Sequence, residues 1–580
     1  MSDTVSVTIV FHERDLERIQ RVAEESADPQ HPQYGQFLTR EALRDLVVLP
    51  DAERAALVEW LTAQDLTVLE SSHENPQLLF LRGSRAQVLA TFGRDVEHWI
   101  DKDRDNRGQL IHLALPRRFA GYVQKVGALA GAQGQSDQPG PEAQTAIPDL
   151  DARRTDVRAP LPPDFAGVTP AQLREIYSVP PQWDGSGETI ALMMLGGRFI
   201  EADMLAFWNA HGVRPPEVRS VLVGPGYSAD RYPSHTYEVA TSVQWAGALA
   251  PGARLVIYFI DPVFMGDPWA AFLFAILNDQ QHRPTIASTS WVAPERQYYR
   301  MHGHSVIRGL LCQAAASGVT VVAASGDWGT FDEVPNTLQD GQYVGDAPWP
   351  HGVFPAVEER VLGVGGTMIT SLAPLTELGW SGPTPAPLRS AIPFSRMAGC
   401  GGFSDRLPIP AWQRPALRAY YPRGASTPAV VPYGRGFPDV ALMAGGPAVA
   451  SGPGEPMTAQ GFRALVSGTW IDFAGGTSVS APIWAAFLAL ANQARRATGL
   501  PRLGCPHPLL YRLADSPKSP FREIIHGNSD VALYAVNDQG HAVNYELRGY
   551  ECRPGWNPVT GLGVPNVASL IDAACDMRRD

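Results

Sequence analysis

The most constraining feature of the chain is an alternation of apolar strands and helices that begins near residue 167. Residues 190–195, 254–260, 285–291 and 319–325 are short, apolar and strand-like, and between the last two residues 306–316 read as a helix closed by Gly318. Repeated strand–helix units leave few options: the strands must run mostly parallel, with helices covering both faces of one sheet. In such sheets reactive groups gather at the carboxyl ends of the strands. With 580 residues, 44% of them hydrophobic and 18% charged, the chain is long and apolar enough for a large core and for more than one domain.

The region before residue 131 has a different texture. Residues 5–11 alternate as a strand, and Asp15, Leu16, Ile19, Val22 and Ala23 mark one helical face. Residues 66–70, 77–81 and 96–100 read as strands and 85–92 as a helix. Two helices on a small antiparallel sheet, as in ferredoxin-like folds, satisfy this order. Residues 131–166 then form a Pro-rich linker without apolar periodicity, the kind of segment that proteases cut. Five cysteines without a Cys-x-x-Cys pair argue against a zinc site and allow at most one or two disulfides. The net charge of -12 and the lack of a long basic run argue against a nucleic-acid partner. No apolar run reaches the roughly 18 residues of a membrane span. No basic residue precedes the short apolar stretch 5–11, so no export signal is visible and a cytoplasmic location is expected.

Three stretches carry chemistry. Gly475-Gly476-Thr477-Ser478, followed by Pro482 and an apolar helix over 484–490, presents a serine at a helix start, where the helix dipole favours negative charge. The spacing places Pro482 in the first helical turn. A nucleophilic serine needs a base, yet none of the 14 histidines sits in a short Gly-bounded turn suited to that role. Glu238 offers an acidic alternative, near the start of a segment over 238–253 that reads as an amphipathic helix. Asp327 follows an apolar strand and Ser325-Gly326, at the carboxyl end of the sheet, where an acid suits a metal or a reacting oxygen.

Together these stretches resemble the sedolisins, or serine-carboxyl peptidases, of the kumamolisin type. Residues 1–130 are similar to the family's activation prodomain, with Asp28-Pro29, Tyr34, Phe37-Leu38-Thr39, Trp60-Leu61 and Ala90-Thr91-Phe92-Gly93 in order. Ser290-Trp291, Phe354-Pro355-Ala356, Gly365-Gly366-Thr367, Pro438-Asp439-Val440 and Gly555-Trp556 follow in family order over residues 167–580. The resemblance implies an α/β, subtilisin-like, mostly parallel sheet with helices on both faces, preceded by a ferredoxin-like α+β prodomain. It implies a precursor of a serine endopeptidase acting on proteins or peptides. Its prodomain would serve as intramolecular inhibitor or chaperone. Ser478 would be the nucleophile, Glu238 the base and Asp327 the protonated oxyanion donor, with acidic pH favoured. Extracellular location is the alternative that the resemblance implies.

Departures from the family pattern cluster at the same positions. The aspartate expected four residues after the glutamate is Ser242, and a glutamate expected before the Leu-Gly-Gly of the first core strand is Met194. Ser242 shares a helix face with Glu238 and can donate to it, but it cannot share a proton as a carboxylate does. His235, three residues before Glu238, is a candidate substitute. The resemblance also implies calcium, at Glu523, Ile524, Gly555 and Asn557. There Asn557 replaces an aspartate and Arg553 a glycine, so the site is degraded. A pseudo-peptidase, binding peptides or a partner without turnover, is the alternative reading.

Overall fold

The computed structural model describes residues 4–69, 75–92, 116–130 and, apart from short segments, 167–576. The linker 131–166 and the strand expected over 96–100 lie outside the described residues.

The N-terminal domain is built on strands β1 (Thr4–Phe11), β2 (Thr67–Val68), β3 (Leu78–Ser84) and β4 (Val123–Ala130). They form an antiparallel sheet in the order β2-β3-β1-β4. That is the strand order of a ferredoxin-like fold, as expected. The period-two pattern of β1 sorts its side chains: Val7, Ile9 and Phe11 pack under helices α3 (Asp51–Thr62) and α4 (Arg85–Phe92), whereas Val10 faces the opposite layer. Helices α1 (Leu16–Ala27) and α2 (Arg40–Val47) occupy that opposite layer, so helices cover both faces of this sheet. Asp15 is not part of the helical face. It is the N-cap of α1, accepting from the Arg18 amide at 3.0 Å.

The second domain is centred on an eight-stranded sheet. Strands β5 (Thr189–Met194), β6 (Glu217–Val223), β7 (Arg254–Ile260), β8 (Ile286–Thr289), β9 (Thr320–Ala324), β10 (Val361–Leu372), β11 (Leu375–Gly379) and β12 (Val440–Gly445) run in the order β6-β7-β5-β8-β9-β10. Beyond these, β10 pairs in parallel with β12 and antiparallel with the edge strand β11. All other pairings are parallel. Chain order reverses around β5, whose neighbours are β7 and β8, which makes this the switch point where a site belongs.

Alternation along each strand separates two cores. Ile190, Leu192, Met194, Leu255, Ile257, Val322 and Leu362 pack with helices α5 (Thr236–Leu249) and α8 (Thr477–Ala497). Ala191, Met193, Val256, Tyr258, Val321 and Ala323 pack with α6 (Pro268–Asn278) and α7 (Ser305–Ala316). The N-terminal domain adds Ile19, Ala23, Leu43 and Phe80 to this second core. Polar contacts fix it there: Arg40 donates to the carbonyls of Ile276 and Leu277 at 3.1 and 2.8 Å, Leu38 N–H to Ala316 at 2.8 Å, and Gln313 to buried Glu13 at 3.0 Å.

One expectation changes. Helix α5 is not amphipathic: every residue from Val239 to Leu249 is buried, because the hairpin strands Phe462–Val466 and Thr469–Ala474 cover the side away from the sheet. Gln244 joins the edge of that hairpin, bonding both backbone groups of Leu465 at 2.7 and 3.0 Å. All five cysteines are free thiols, so no disulfide forms.

Candidate active site

Ser478 is the second residue of α8, a helix whose N-cap is Gly476. Gly476 has φ +95°, and a Cβ there would come within 2.5 Å of Asp327 Oδ2, so both backbone conformation and space demand glycine. Pro482 lies in the second turn, not the first, and this has a local consequence. An α-helix would bond the amide of residue 482 to the carbonyl of Ser478, and proline has no amide proton to give. Ser290, just beyond the end of β8, donates its hydroxyl to that carbonyl at 2.9 Å.

Glu238 stands in the first turn of α5. Its carboxyl group is pushed up to about 7, burial being the main cause. Hydrogen bonds with Ser290, Ser242 and Ser478 pull it down, and the Asp327 charge pushes it up again. Three hydroxyls therefore converge on one carboxyl group. Buried Ser242 donates to Glu238 Oε1 at 3.0 Å, in the i, i+4 geometry that the sequence anticipates. A hydroxyl has one proton. Ser290 has its proton on the Ser478 carbonyl, so the donor fixed on Glu238 is Ser242.

Asp327 follows β9, as the sequence predicts, and faces the start of α8. Its Oδ1 accepts from the Thr477 amide and the Thr477 hydroxyl, each at 2.8 Å, while the same hydroxyl accepts from Gly326 N–H at 3.0 Å. Burial holds the Asp327 carboxyl above its ordinary value of 3.8, against the pull of the Thr477 bonds. With Oδ1 engaged twice as acceptor, Oδ2 is the natural seat of a proton. Tyr237 closes the floor, its hydroxyl accepting from Gly475 N–H at 3.1 Å.

The structure thus brings Ser478, Glu238, Ser242 and Asp327 together. It does not bring His235 in. That imidazole bonds the Leu195 carbonyl at 3.1 Å and stacks on Tyr232, so it does not substitute for the missing acid. Met194 is buried in the apolar core beneath α5 and α8. Thr477, Tyr237 and Ser290 are functional neighbours to which sequence reasoning assigned no role. The Ser290-Trp291 pair was visible as a motif, but nothing local marks its reach to Ser478.

Glu523, Ile524, Gly555 and Asn557 also come together. Gly555 N–H donates to Glu523 at 3.1 Å, and the Asn557 side-chain amide donates to the Ile524 and Arg553 carbonyls at 3.3 and 3.1 Å. These groups are already paired with one another. A donor points where a cation would need an acceptor, so the set does not fit calcium. Among the described residues no group of three or more His, Cys, Asp or Glu side chains is arranged to hold a metal ion. No described helix is long and apolar enough to cross a membrane.

A serine at a helix start, a half-buried glutamate beside it and a half-buried aspartate facing the start of the same helix define a serine peptidase scaffold with a carboxylate where a histidine is usual. Comparison with known proteins agrees. Residues 1–130 match the family described as "Pro-kumamolisin, activation domain". Kumamolisin of Bacillus sp. (strain MN-32) is 31% identical over 586 residues, covering 98% of this chain and 91% of that protein. Human tripeptidyl-peptidase 1 is 25% identical with the same coverage. The solved Pseudomonas sedolisin, a serine-carboxyl proteinase complexed with pseudo-iodotyrostatin, superposes with a TM-score of 0.53 at 20% identity, over 70% of this chain and 98% of that one. The chain belongs to the sedolisin family of serine-carboxyl peptidases, as a kumamolisin-like precursor with its activation domain attached.

Proposed function

We propose that the chain is an endopeptidase precursor that cleaves proteins or peptides by acyl transfer through Ser478. The observation that carries this reading is the convergence of Ser478, Glu238, Ser242 and Asp327 at the start of α8, with Ser242 donating to Glu238 Oε1 at 3.0 Å and Asp327 Oδ1 bonded to Thr477, the neighbour of Ser478. Ionised Glu238 takes the serine proton as Ser478 Oγ attacks the peptide carbonyl. Protonated Asp327 donates to the oxyanion from Oδ2, and Thr477 holds its other oxygen. Glu238 then returns the proton to the leaving amine, and water releases the acyl group by the same path reversed.

The active form carries one proton on the Glu238–Asp327 pair, with the glutamate ionised and the aspartate neutral. Such a form exists only between the two macroscopic ionisations of the pair. The Glu238 value of about 7 marks the loss of the pair's last proton: above it none remains for Asp327 to donate, which supports an acid-favouring enzyme, and below it the active form is the tautomer with that proton on Asp327. The N-terminal domain packs on α6 and α7, away from the layer holding α5 and α8. It therefore braces the second domain from the sheet face opposite α5 and α8.

A second reading has its own support. Ser242 in place of an acid and apolar Met194 weaken the base, which favours a peptide-binding scaffold without turnover. Incubation of the purified chain from pH 3 to 7, beside Ser478→Ala, separates the two by intact mass. Serine-dependent cleavage within 131–166 is the expected result. A chain uncut at every pH and inert toward unfolded protein would leave only the binding scaffold.

A further inference from the structure

Asn557 is fully buried, and every polar position of its side chain is engaged. Oδ1 accepts from the Val559 amide at 3.1 Å, the Thr560 amide at 3.0 Å and the Thr560 hydroxyl at 3.2 Å. Two of those partners are backbone N–H groups, which only donate. The oxygen must therefore face them, and the orientation of the amide is fixed by chemistry rather than by choice. The NH2 group faces the other way, toward the carbonyls of Ile524 at 3.3 Å and Arg553 at 3.1 Å. The turn is further locked by reciprocal backbone bonds between Asn557 and Gly561, at 3.1 and 2.8 Å.

Two backbone carbonyls converging on one point normally need a positive partner. In the metal site implied by the family resemblance that partner is a calcium ion, held with carboxylates. Here the partner is the amide NH2. We propose that the Asn557 amide takes the place of the cation, so that the C-terminal turn of this chain folds without calcium and does not bind it.

A cation at this point would have to displace the amide NH2 from both carbonyls. Rotating the amide by half a turn would aim Oδ1 at two carbonyl oxygens and NH2 at two backbone N–H groups. Each buried group left unpaired destabilises the folded chain. A neutral amide returns little of that, since it adds no charge to the ion. Of the two acids in the family's pattern only Glu523 remains, on the surface and tied to Gly555 N–H. Arg553, whose carbonyl takes one amide proton, places its exposed cationic side chain over the Tyr420 ring, close to the same turn.

The test uses the full chain carrying Ser478→Ala, so that self-cleavage does not intervene. After gel filtration in calcium-containing buffer, metal analysis should find no calcium co-eluting with the protein, and the melting temperature should be the same with calcium or with EGTA. The variant Asn557→Asp should melt lower than its parent in EGTA, because a carboxylate then faces two carbonyls, and calcium should restore it. One calcium retained per parent chain, or a parent that melts several degrees lower in EGTA, overturns the proposal. So does an Asn557→Asp chain that matches its parent in EGTA, since the amide hydrogens would then be dispensable. If that variant fails to fold in either buffer, the two measurements on the parent decide.

Discussion

Replacing Glu238 with glutamine should flatten the dependence of stability on pH. In the folded chain the Glu238 carboxyl sits near 7, against an ordinary value of 4.5. At about 1.4 kcal/mol for each tenfold change in proton affinity, the gap corresponds to about 3 kcal/mol. The sign follows from linkage. Between pH 4.5 and 7 the folded chain holds a proton that the unfolded chain has released, so stability is fullest below 4.5 and is lost as pH rises through 7. Burial, the leading cause of the shift, is also what the charged form must overcome. The assay is urea unfolding followed by tryptophan fluorescence at pH 4.5, 5.5, 6.5 and 7.5. It compares Ser478→Ala with Ser478→Ala/Glu238→Gln. Removing the Ser478 hydroxyl takes away one bond that lowers the Glu238 value, so the parent should show the effect in full. The parent should lose about 3 kcal/mol more than the glutamine variant across that range. Parallel losses in the two chains would refute the claim that folded Glu238 holds its proton up to neutral pH.

Three further outcomes follow from the same geometry. Ser242→Ala removes a hydrogen bond to an ionisable carboxyl group, worth about 1.5–3 kcal/mol, and should lower kcat/KM by about 10- to 100-fold; Ser242→Asp should raise it above the parent, read from peptide hydrolysis. Gly476→Ala should abolish hydrolysis while leaving the fold largely intact by circular dichroism, since its Cβ would strike Asp327 Oδ2 in a backbone conformation that alanine resists. Asp439→Asn should destabilise the chain by about 3–5 kcal/mol in urea, because Arg435 bonds Asp439 at 2.7 Å, His507 lies 3.4 Å away, and all three side chains are fully buried.

Much of this site was legible in the sequence because each functional residue ends a distinct local pattern. Asp327 closes an apolar strand, Ser478 opens a Gly-initiated helix, and the spacing of Glu238 and Ser242 places them on one helix face. The parallel sheet was legible for the same reason, since its strands are short apolar runs bounded by helices. What failed depended on contacts distant in sequence. Helix α5 carries Thr241, Ser242 and Gln244 at positions that suggest a wet face, yet all three are buried, Gln244 against the 462–474 hairpin. Trp245 shows why: its indole donates to the Arg463 carbonyl at 2.8 Å, a partner 218 residues away. Ser290 could not be read as a support for Ser478, because its role arises from the proton that Pro482 lacks. The amide of Asn557 looked like a weakened metal ligand. Only the direction of its hydrogen bonds shows a donor facing the two carbonyls.

The most direct test of the central claim is acylation of Ser478 itself. The full chain is mixed with an activated acyl ester at pH 5–6, quenched in acid and digested for peptide mass analysis. One acyl group is expected on the peptide containing Ser478, released as the incubation is prolonged. It should be absent from Ser478→Ala and strongly reduced in Glu238→Gln. Acylation that is equal in Glu238→Gln, or that falls elsewhere while Ser478 stays unmodified, would contradict the assignment of a Glu238-activated serine nucleophile.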